Sequence, residues 1–168
     1  DLILEAVVGE EVMDHLCGTT AVIDRGYRAD AAVVSEPSSP PTPLAVVPIS
    51  PGLWWFSVTV RGKASHASMR GHTFRAGGGG AEVGVNAIDK GIFIFQATRQ
   101  LEDTWGLTKS HPLFAPGHFT IHPGVVTGGP SGVLVPFVIS EFTTFEYCVW
   151  YHPEEDPADV RAEIEAHI

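Results

Sequence analysis

Leu53-Trp54-Trp55-Phe56-Ser57-Val58-Thr59-Val60-Arg61-Gly62 is the stretch that decides the fold class of this chain. In its second half, Phe56, Val58 and Val60 alternate with polar side chains. Successive side chains of a strand point to opposite faces, so this alternation predicts a strand with one buried and one solvated face. Such strands are typical of antiparallel sheets. We therefore expect residues 53–62 to form a strand of an antiparallel sheet.

Downstream of this strand, helical and strand-like patterns follow in a recognisable order. Apolar residues at helical spacing predict a long helix over residues 85–105, which we expect Gly106 to end. Residues 119–122 and 133–151 contain predicted strands, separated by glycine-rich residues 124–132, and an amphipathic helix follows over 156–168. This order predicts an α+β fold. We expect a ferredoxin-like βαββα(β) domain, with an antiparallel sheet, two helices on one face and a last strand just past Ile168.

Residues 63–84, between the first strand and the long helix, are predicted to form a loop. This segment contains four consecutive glycines, at residues 77–80. Glycine loses more conformational entropy on ordering than any other residue, so we expect this part of the loop to be mobile.

The first part of the chain has a different pattern, in which carboxylates follow apolar runs. Residues 2–8 are predicted to form a buried strand, residues 11–20 a short helix and residues 29–34 a second buried strand. Glu10 and Glu11 follow the first run, and Glu36 follows the second. Carboxylates at buried strand ends are costly unless a metal, a proton or a substrate uses them, which makes these three candidates for chemistry.

A proline-rich connection at residues 38–51 separates the two parts, because so many prolines are incompatible with a helix or a central strand. We therefore predict two domains, at residues 1–50 and 51–168.

The composition excludes several classes of function. The 168 residues carry a formal charge of −10 with only ten Lys and Arg, which argues against binding to nucleic acids and to anionic membranes. Cys17 and Cys148 have no CxxC spacing, and no apolar run is long enough to cross a membrane. We expect a cytoplasmic protein.

Four segments, taken in order, resemble the M20 metallopeptidase family, which includes acetylornithine deacetylase and succinyl-diaminopimelate desuccinylase. They are Gly9-Glu10-Glu11, Ala31-Ala32-Val33-Val34-Ser35-Glu36-Pro37, Val58-Thr59-Val60-Arg61-Gly62-Lys63-Ala64-Ser65-His66-Ala67-Ser68 and Gly84-Val85-Asn86-Ala87-Ile88. Gly128-Gly129 with Val133-Leu134-Val135-Pro136 is similar to a further element of the family's lid domain. The resemblance implies that residues 1–50 are part of a zinc-hydrolase catalytic domain and that residues 51–168 are the dimerisation, or lid, domain.

The resemblance also implies a role for each candidate residue. Glu10 corresponds to the general base that activates a metal-bound water, and Glu11 and Glu36 correspond to ligands of the two metal ions, one ion each. His66 corresponds to the lid histidine that stabilises the tetrahedral oxyanion, reaching the partner's active site in dimeric members. Asn86 corresponds to a substrate-binding residue of the lid. The implied cofactor is Zn²⁺, two ions per subunit of the whole enzyme, with Co²⁺ or Mn²⁺ as alternatives.

These implications lead to two interpretations of the chain. In the first, it is an internal fragment of a metal-dependent hydrolase that cleaves the amide bond of an N-acyl amino acid or a small peptide. The family's other ligands, imidazoles and a bridging aspartate, come from regions that this sequence lacks, so we expect this chain alone to be inactive and not to retain the metals. In the second, it is a non-catalytic dimerisation module. Both interpretations predict a homodimer formed through the lid domain.

Overall fold

The computed structural model describes residues 1–12, 14–36, 45–132 and 135–168. The chain divides into two compact units, Asp1–Val46 and Val47–Ile168, so the division falls a few residues before the predicted domain boundary. Half of the predicted proline-rich connection, residues 38–44, lies outside the described residues. None of the helices in the described part of the chain is long and apolar enough to cross a membrane.

The first unit contains little regular structure. Its elements are a 3₁₀ turn at His15–Cys17 and the short helix α1 at Thr19–Asp24. The predicted strands at residues 2–8 and 29–34 are wrong, because the described residues of this unit form no strand. The helix predicted at residues 11–20 is also wrong, since α1 begins near its end. A buried strand needs hydrogen-bonded neighbours and covered faces, whereas Leu2, Leu4 and Val33 are almost fully exposed here.

The second unit contains the predicted order of strands and helices. Its elements are β1 Gly52–Arg61, β2 Ser65–His66, α2 Arg70–Phe74, α3 Ala87–Thr108, β3 Thr120–Gly129, β4 Val138–Ile139, β5 Phe142–Tyr151 and α4 Pro157–His167. The long elements β1, α3, β3, β5 and α4 give the order βαββα, and the predicted α+β class is confirmed. The main sheet is antiparallel with the order β1-β5-β3, and β2 pairs with β4 in a separate two-stranded sheet.

Both long helices cover the same face of the main sheet, as predicted. The core cluster joins residues from the two helices to inward-facing residues of β3 and β5: Leu101, Trp105, Ile121, Phe145, Tyr147, Val149, Val160 and Ile164. In β1, alternate residues from Trp54 to Val60 are half-buried and their neighbours are exposed, as the alternation at Phe56, Val58 and Val60 predicts. The hydrophobic effect of this one-sided burial is the main force that holds helices and sheet together.

β3 is longer than predicted, because the glycine-rich residues 124–132 are expected from the sequence to separate two strands. The strand continues through these glycines to Gly129, with a bulge between Pro123 and Val125. β3 lies at the edge of the sheet, where proline and a bulge are tolerated because only one side of the strand pairs. The next strand is predicted over residues 133–151. Val133 and Leu134 lie outside the described residues, and the rest of this range contains β4 and β5.

Two further predictions about glycines are wrong. Gly106 does not end α3, which continues to Thr108. Residues 63–84 are not a simple loop, because β2, α2 and two 3₁₀ turns lie within them. In the glycine run, Gly77, Gly79 and Gly80 have φ of 79°, 94° and 60°, which favour glycine over other residues, and Gly78 packs against the backbone of His72.

Candidate functional site

Glu10 and Glu11 lie in a tight turn that Gly9 makes possible. Gly9 has a φ of 81°, and its carbonyl accepts a hydrogen bond from the N–H of Asp14 at 2.8 Å. A Cβ atom at Gly9 would lie 2.8 Å from the Asp14 carbonyl oxygen, so the turn needs glycine for space as well as for its backbone angles. Both carboxylates are exposed, and so is Glu36 in the same unit.

The residues present do not by themselves form a two-metal centre. Within residues 1–12, 14–36, 45–132 and 135–168, no three His, Cys, Asp or Glu side chains are grouped so that they could hold a metal ion. A hydrolytic pair of ions needs several ligands converging on each ion, including a group that bridges them. Exposed carboxylates at Glu11 and Glu36 do not meet this requirement on their own.

His66 lies in the second unit, and contacts with Ser68 fix the Nδ1 side of its ring. The backbone of His66 pairs with Val138 in the small β2–β4 sheet. Its Nδ1 atom lies 3.2 Å from the backbone nitrogen of Ser68, whose N–H donates to it, and 2.8 Å from the Ser68 hydroxyl oxygen. The imidazole thereby caps the 3₁₀ turn at Ala67–Met69. On another side, the centroid of the Phe137 ring is 6.0 Å from that of the imidazole.

Asn86 is the N-cap residue of α3. Its Oδ1 atom accepts a hydrogen bond from the N–H of Ile88 at 2.9 Å, which satisfies one of the free donors in the first turn. The sequence motif assigns Asn86 to substrate binding and does not predict this structural role. An asparagine directly before an apolar helical pattern is the signal that indicates a cap.

A crossing of backbone segments at Gly62 connects the surroundings of His66 and Asn86. Gly62 donates to the Glu141 carbonyl at 2.7 Å, and the next residue, Lys63, exchanges two hydrogen bonds with Val85, at 2.8 and 3.0 Å. Ala87 donates to the Ser140 carbonyl at 2.9 Å. The crossing thus fixes the start of the segment that leads to His66 and the residues on both sides of Asn86.

An ion pair and a carboxylate with a lowered pKa involve residues close in sequence to the crossing at Gly62. Arg70 of α2 lies 2.8 Å from Asp89 in the first turn of α3. The hydroxyl and the N–H of Ser131 hold the pKa of Glu141 below its ordinary value, because both donate to its carboxylate.

An apolar surface extends along the first half of α3 and onto β3. We call it the α3–β3 surface, and its exposed apolar members are Ile88, Ile92, Phe95 and Val126. Between the helix and the sheet it contains an open groove of about 400 Å³, lined by Ile88, Ile92, Phe95, Val126, Gly128, Thr143 and Phe145. A contiguous apolar surface of this kind indicates a site of contact with another molecule.

A cation that is largely but not fully buried, Lys109, connects the end of α3 to α4. The ammonium of Lys109 lies 2.7 Å from Glu155 and 2.9 Å from Glu163, and 3.8 Å from the centre of the Trp105 ring. The indole N–H of Trp105 also donates to Glu163, at 3.0 Å. Burial raises the pKa of Glu163, but the hydrogen bonds from Lys109 and Trp105 outweigh it and leave the pKa below its ordinary value. The partners are far apart in sequence, so no local pattern predicts this network.

Comparison with known proteins gives the family. Residues 50–168 match the family model described as "Peptidase dimerisation domain" of the M20 group. Over its whole length the chain is 34% identical to N-formyl-4-amino-5-aminomethyl-2-methylpyrimidine deformylase of Halalkalibacterium halodurans, covering 36% of that protein. It is 33% identical to the deformylase of the same name from Bacillus subtilis, covering 37% of it. The chain therefore spans about a third of the length of these relatives.

Among solved structures, a tripeptidase from Staphylococcus aureus aligns with 70% of this chain and 23% of its own, at 17% identity and a TM-score of 0.38. The family model covers most of the chain, including β1, α3, β3, β5 and α4, and the two deformylases align with all of it. The chain belongs to the M20 peptidase family, and its residues 50–168 form the family's peptidase dimerisation domain.

Proposed function

We propose that the whole protein hydrolyses the amide C–N bond of a small N-acyl substrate and that this chain supplies its dimerisation domain. The names of the two relatives, both deformylases that align with the entire chain, support this activity. Removal of a formyl group from an amine is hydrolysis of an amide, the bond type that the motifs imply, but the compound in the relatives' name is neither an N-acyl amino acid nor a peptide. A formylated amine is thus the first substrate class to test.

The proposed roles of the individual residues rest on the resemblance of their motifs. Glu10 is proposed as the general base, and Glu11 and Glu36 as ligands of two zinc ions, with cobalt or manganese as alternatives. The other ligands would come from outside this chain, because the described residues do not form such a centre. His66 is proposed as a hydrogen-bond donor to the oxygen of the scissile carbonyl, and Asn86 as a substrate-binding residue.

We further propose that two copies of the chain associate through the α3–β3 surface, and this surface is the observation that carries the proposal. Ile88 at 44% and Ile92 at 47% exposure lie one turn apart in the first half of a long helix whose opposite face is buried in the core. Exposing several large apolar side chains along one stripe costs free energy that burial against a second copy would recover, at about 25 cal/mol per Å².

The position of β3 supports the same surface. β3 is an edge strand, so one side of its backbone carries N–H and C=O groups that do not pair within the sheet. The bulge at Pro123 lies near the start of β3, which leaves residues 125–129 as the regular part of this edge. A second copy related by a twofold axis would present the same strand in the antiparallel direction, and such a contact closes as a dimer.

The experiment is sedimentation equilibrium of the chain and of Ile92→Asp, with Leu107→Asp as the matched control. Leu107 is 90% exposed on the same helix but lies outside the α3–β3 surface. Ile92 is 47% exposed, so burying the rest of its side chain contributes about 0.7 to 1.5 kcal/mol, and a twofold contact contains it twice. Ile92→Asp should therefore raise the dimer Kd by about tenfold or more. Leu107→Asp should dimerise like the unmodified chain. A chain that stays monomeric at tens of micromolar, or equal dissociation by both variants, would refute the proposed surface.

A non-catalytic dimerisation module is the second candidate function. The observation that favours it is the absence of a metal-binding group of side chains among the described residues. An activity assay of the whole protein distinguishes the two functions. If it releases formate from an N-formyl aminomethylpyrimidine and Glu10→Gln abolishes this, the hydrolase is correct. A protein that dimerises through the α3–β3 surface but releases no formate with any of the three metals supports the module.

A further inference from the structure

We propose that Ser68 is a positioning residue that keeps the proton of neutral His66 on Nε2. The proposal rests on the proposed role of His66, but it concerns a feature of the chain itself that can be measured without any activity. Ser68 follows His66 by two residues and contacts Nδ1 through both its backbone and its side chain, at 3.2 and 2.8 Å.

The backbone contact favours Nδ1 as the ring nitrogen that accepts, and the hydroxyl contact adds to this preference. A main-chain N–H can only donate, so Nδ1 must present its lone pair to Ser68. In a neutral imidazole one nitrogen accepts and the other carries the proton, which places the proton on Nε2. The hydroxyl of Ser68 can rotate, and at 2.8 Å it donates to the same lone pair. Both groups of Ser68 thus favour the same tautomer.

Neighbouring backbone contacts keep Ser68 in this position. The N–H of Ala67, between the two residues, donates to the Phe137 carbonyl at 2.7 Å, and His66 pairs with Val138 in the adjoining strand. The segment 66–68 is therefore held against residues 137–138 on one side, while the Phe137 ring lies beside the imidazole. In the part of the chain that the structure describes, Nε2 of the exposed His66 has no hydrogen-bond partner.

The tautomer matters because it decides what His66 offers to a substrate. With the proton on Nε2, the outer edge of the ring is a hydrogen-bond donor, suited to an oxygen that becomes negative in the transition state. With the proton on Nδ1, the same edge would present a lone pair and repel that oxygen. Ser68 therefore acts through His66 and need not touch the substrate.

The first test is ¹⁵N NMR of the chain at about pH 8.5, where exposed histidines are neutral. We expect Nδ1 of His66 to have the shift of an unprotonated ring nitrogen and Nε2 that of a protonated one. Ser68→Ala keeps the backbone N–H and loses only the hydroxyl, so both shifts should move part of the way toward the intermediate values of exchanging tautomers, and Ser68→Thr should restore them. The control is Ser57→Ala, which removes an exposed serine from β1. A protonated Nδ1 in the unmodified chain, or unchanged shifts in Ser68→Ala, overturns the inference.

The second test uses the whole protein and separates this inference from the proposed function. Ser68→Ala should lower kcat about tenfold with little change in KM, since a partner that orients a functional histidine typically contributes a factor of this order. Ser68→Thr should recover most of the loss. A Ser68→Ala protein that loses thermal stability but keeps its kcat overturns the positioning role. If His66→Ala keeps full activity, the proposed role of His66 fails, whatever the NMR shows about the proton.

Discussion

Replacing Gly62 with alanine should destabilise the second unit strongly, because Gly62 lies where three backbone segments meet. A Cβ atom at this position would lie 2.2 Å from the carbonyl oxygen of Val85, and 2.9 Å from both the Ala87 nitrogen and the Ser140 carbonyl oxygen. All three are main-chain atoms, so no side chain can rotate away to relieve the contact. The segments themselves must separate.

The size of the effect follows from the hydrogen bonds at this crossing. Moving the Val85 carbonyl out to a tolerable 3.0 Å requires a shift of about 0.8 Å, which stretches its 2.8 Å bond from Lys63 beyond hydrogen-bond range. The reciprocal bond from Val85 and the bond from Ala87 to Ser140 lie in the same crossing. Three bonds at about 1 kcal/mol each, less a few tenths for the stiffer unfolded chain, give a loss of about 2 to 3 kcal/mol.

Urea unfolding of Gly62→Ala, compared with Gly106→Ala, measures this loss. Gly106 lies inside α3, and a Cβ atom there would have no heavy atom within 4 Å, so alanine should stabilise the protein by about 0.5 to 1 kcal/mol through helix propensity. The two identical substitutions should change the free energy of unfolding in opposite directions. A Gly62→Ala protein as stable as the unmodified chain would show that the three backbone segments can move apart without loss of stability, and would refute the reasoning.

Two predictions concern the network between α3 and α4. Lys109→Met should lower the free energy of unfolding by about 1 kcal/mol, because it leaves two partly exposed carboxylates, Glu155 and Glu163, without their cation. Urea unfolding at pH 7 checks this, and an unchanged midpoint would contradict it. Because the folded protein holds the pKa of Glu163 below its ordinary value, the stabilisation from this carboxylate is present above the unfolded pKa of about 4.3 and is lost as the pH falls through the folded pKa. When urea unfolding is repeated at about pH 3.5, the unmodified chain should therefore lose more stability than Glu163→Gln does. Equal losses of stability in the two proteins would exclude a contribution from Glu163.

The parts of the fold that the sequence predicts are those with a strong periodic pattern. The alternation at Phe56, Val58 and Val60 predicts β1 because side-chain direction reverses at every residue of a strand. Helical spacing likewise predicts α3 and α4, and the order of elements then gives the α+β class. In β1 the predicted face packs against the core, whereas in α3 the apolar residues Ile88, Ile92 and Phe95 are exposed and the core side of the helix is formed by others, among them Leu101 and Trp105.

The predictions that fail depend on neighbours that a local pattern does not include. The apolar runs at residues 2–8 and 29–34 resemble buried strands, but a strand forms only where another strand pairs with it, and the described residues of the first unit provide none. β3 shows the opposite case. The glycines of residues 124–132 predict a break between strands, yet pairing with β5 on one side only allows a bulged edge strand to continue to Gly129.

His66 and Asn86 show how a structural role can restrict a functional one. Each side chain uses an acceptor atom to cap the start of a helical segment: Nδ1 of His66 for the 3₁₀ turn and Oδ1 of Asn86 for α3. The polar groups of these side chains that capping does not use are chiefly N–H donors. They are Nε2–H of His66 and the Nδ2 hydrogens of Asn86. Donors suit the oxygen of a carbonyl or a carboxylate, not the abstraction of a proton. Because the crossing at Gly62 positions both segments, Gly62→Ala should disturb both donors together, whereas Ser68→Ala should disturb only His66.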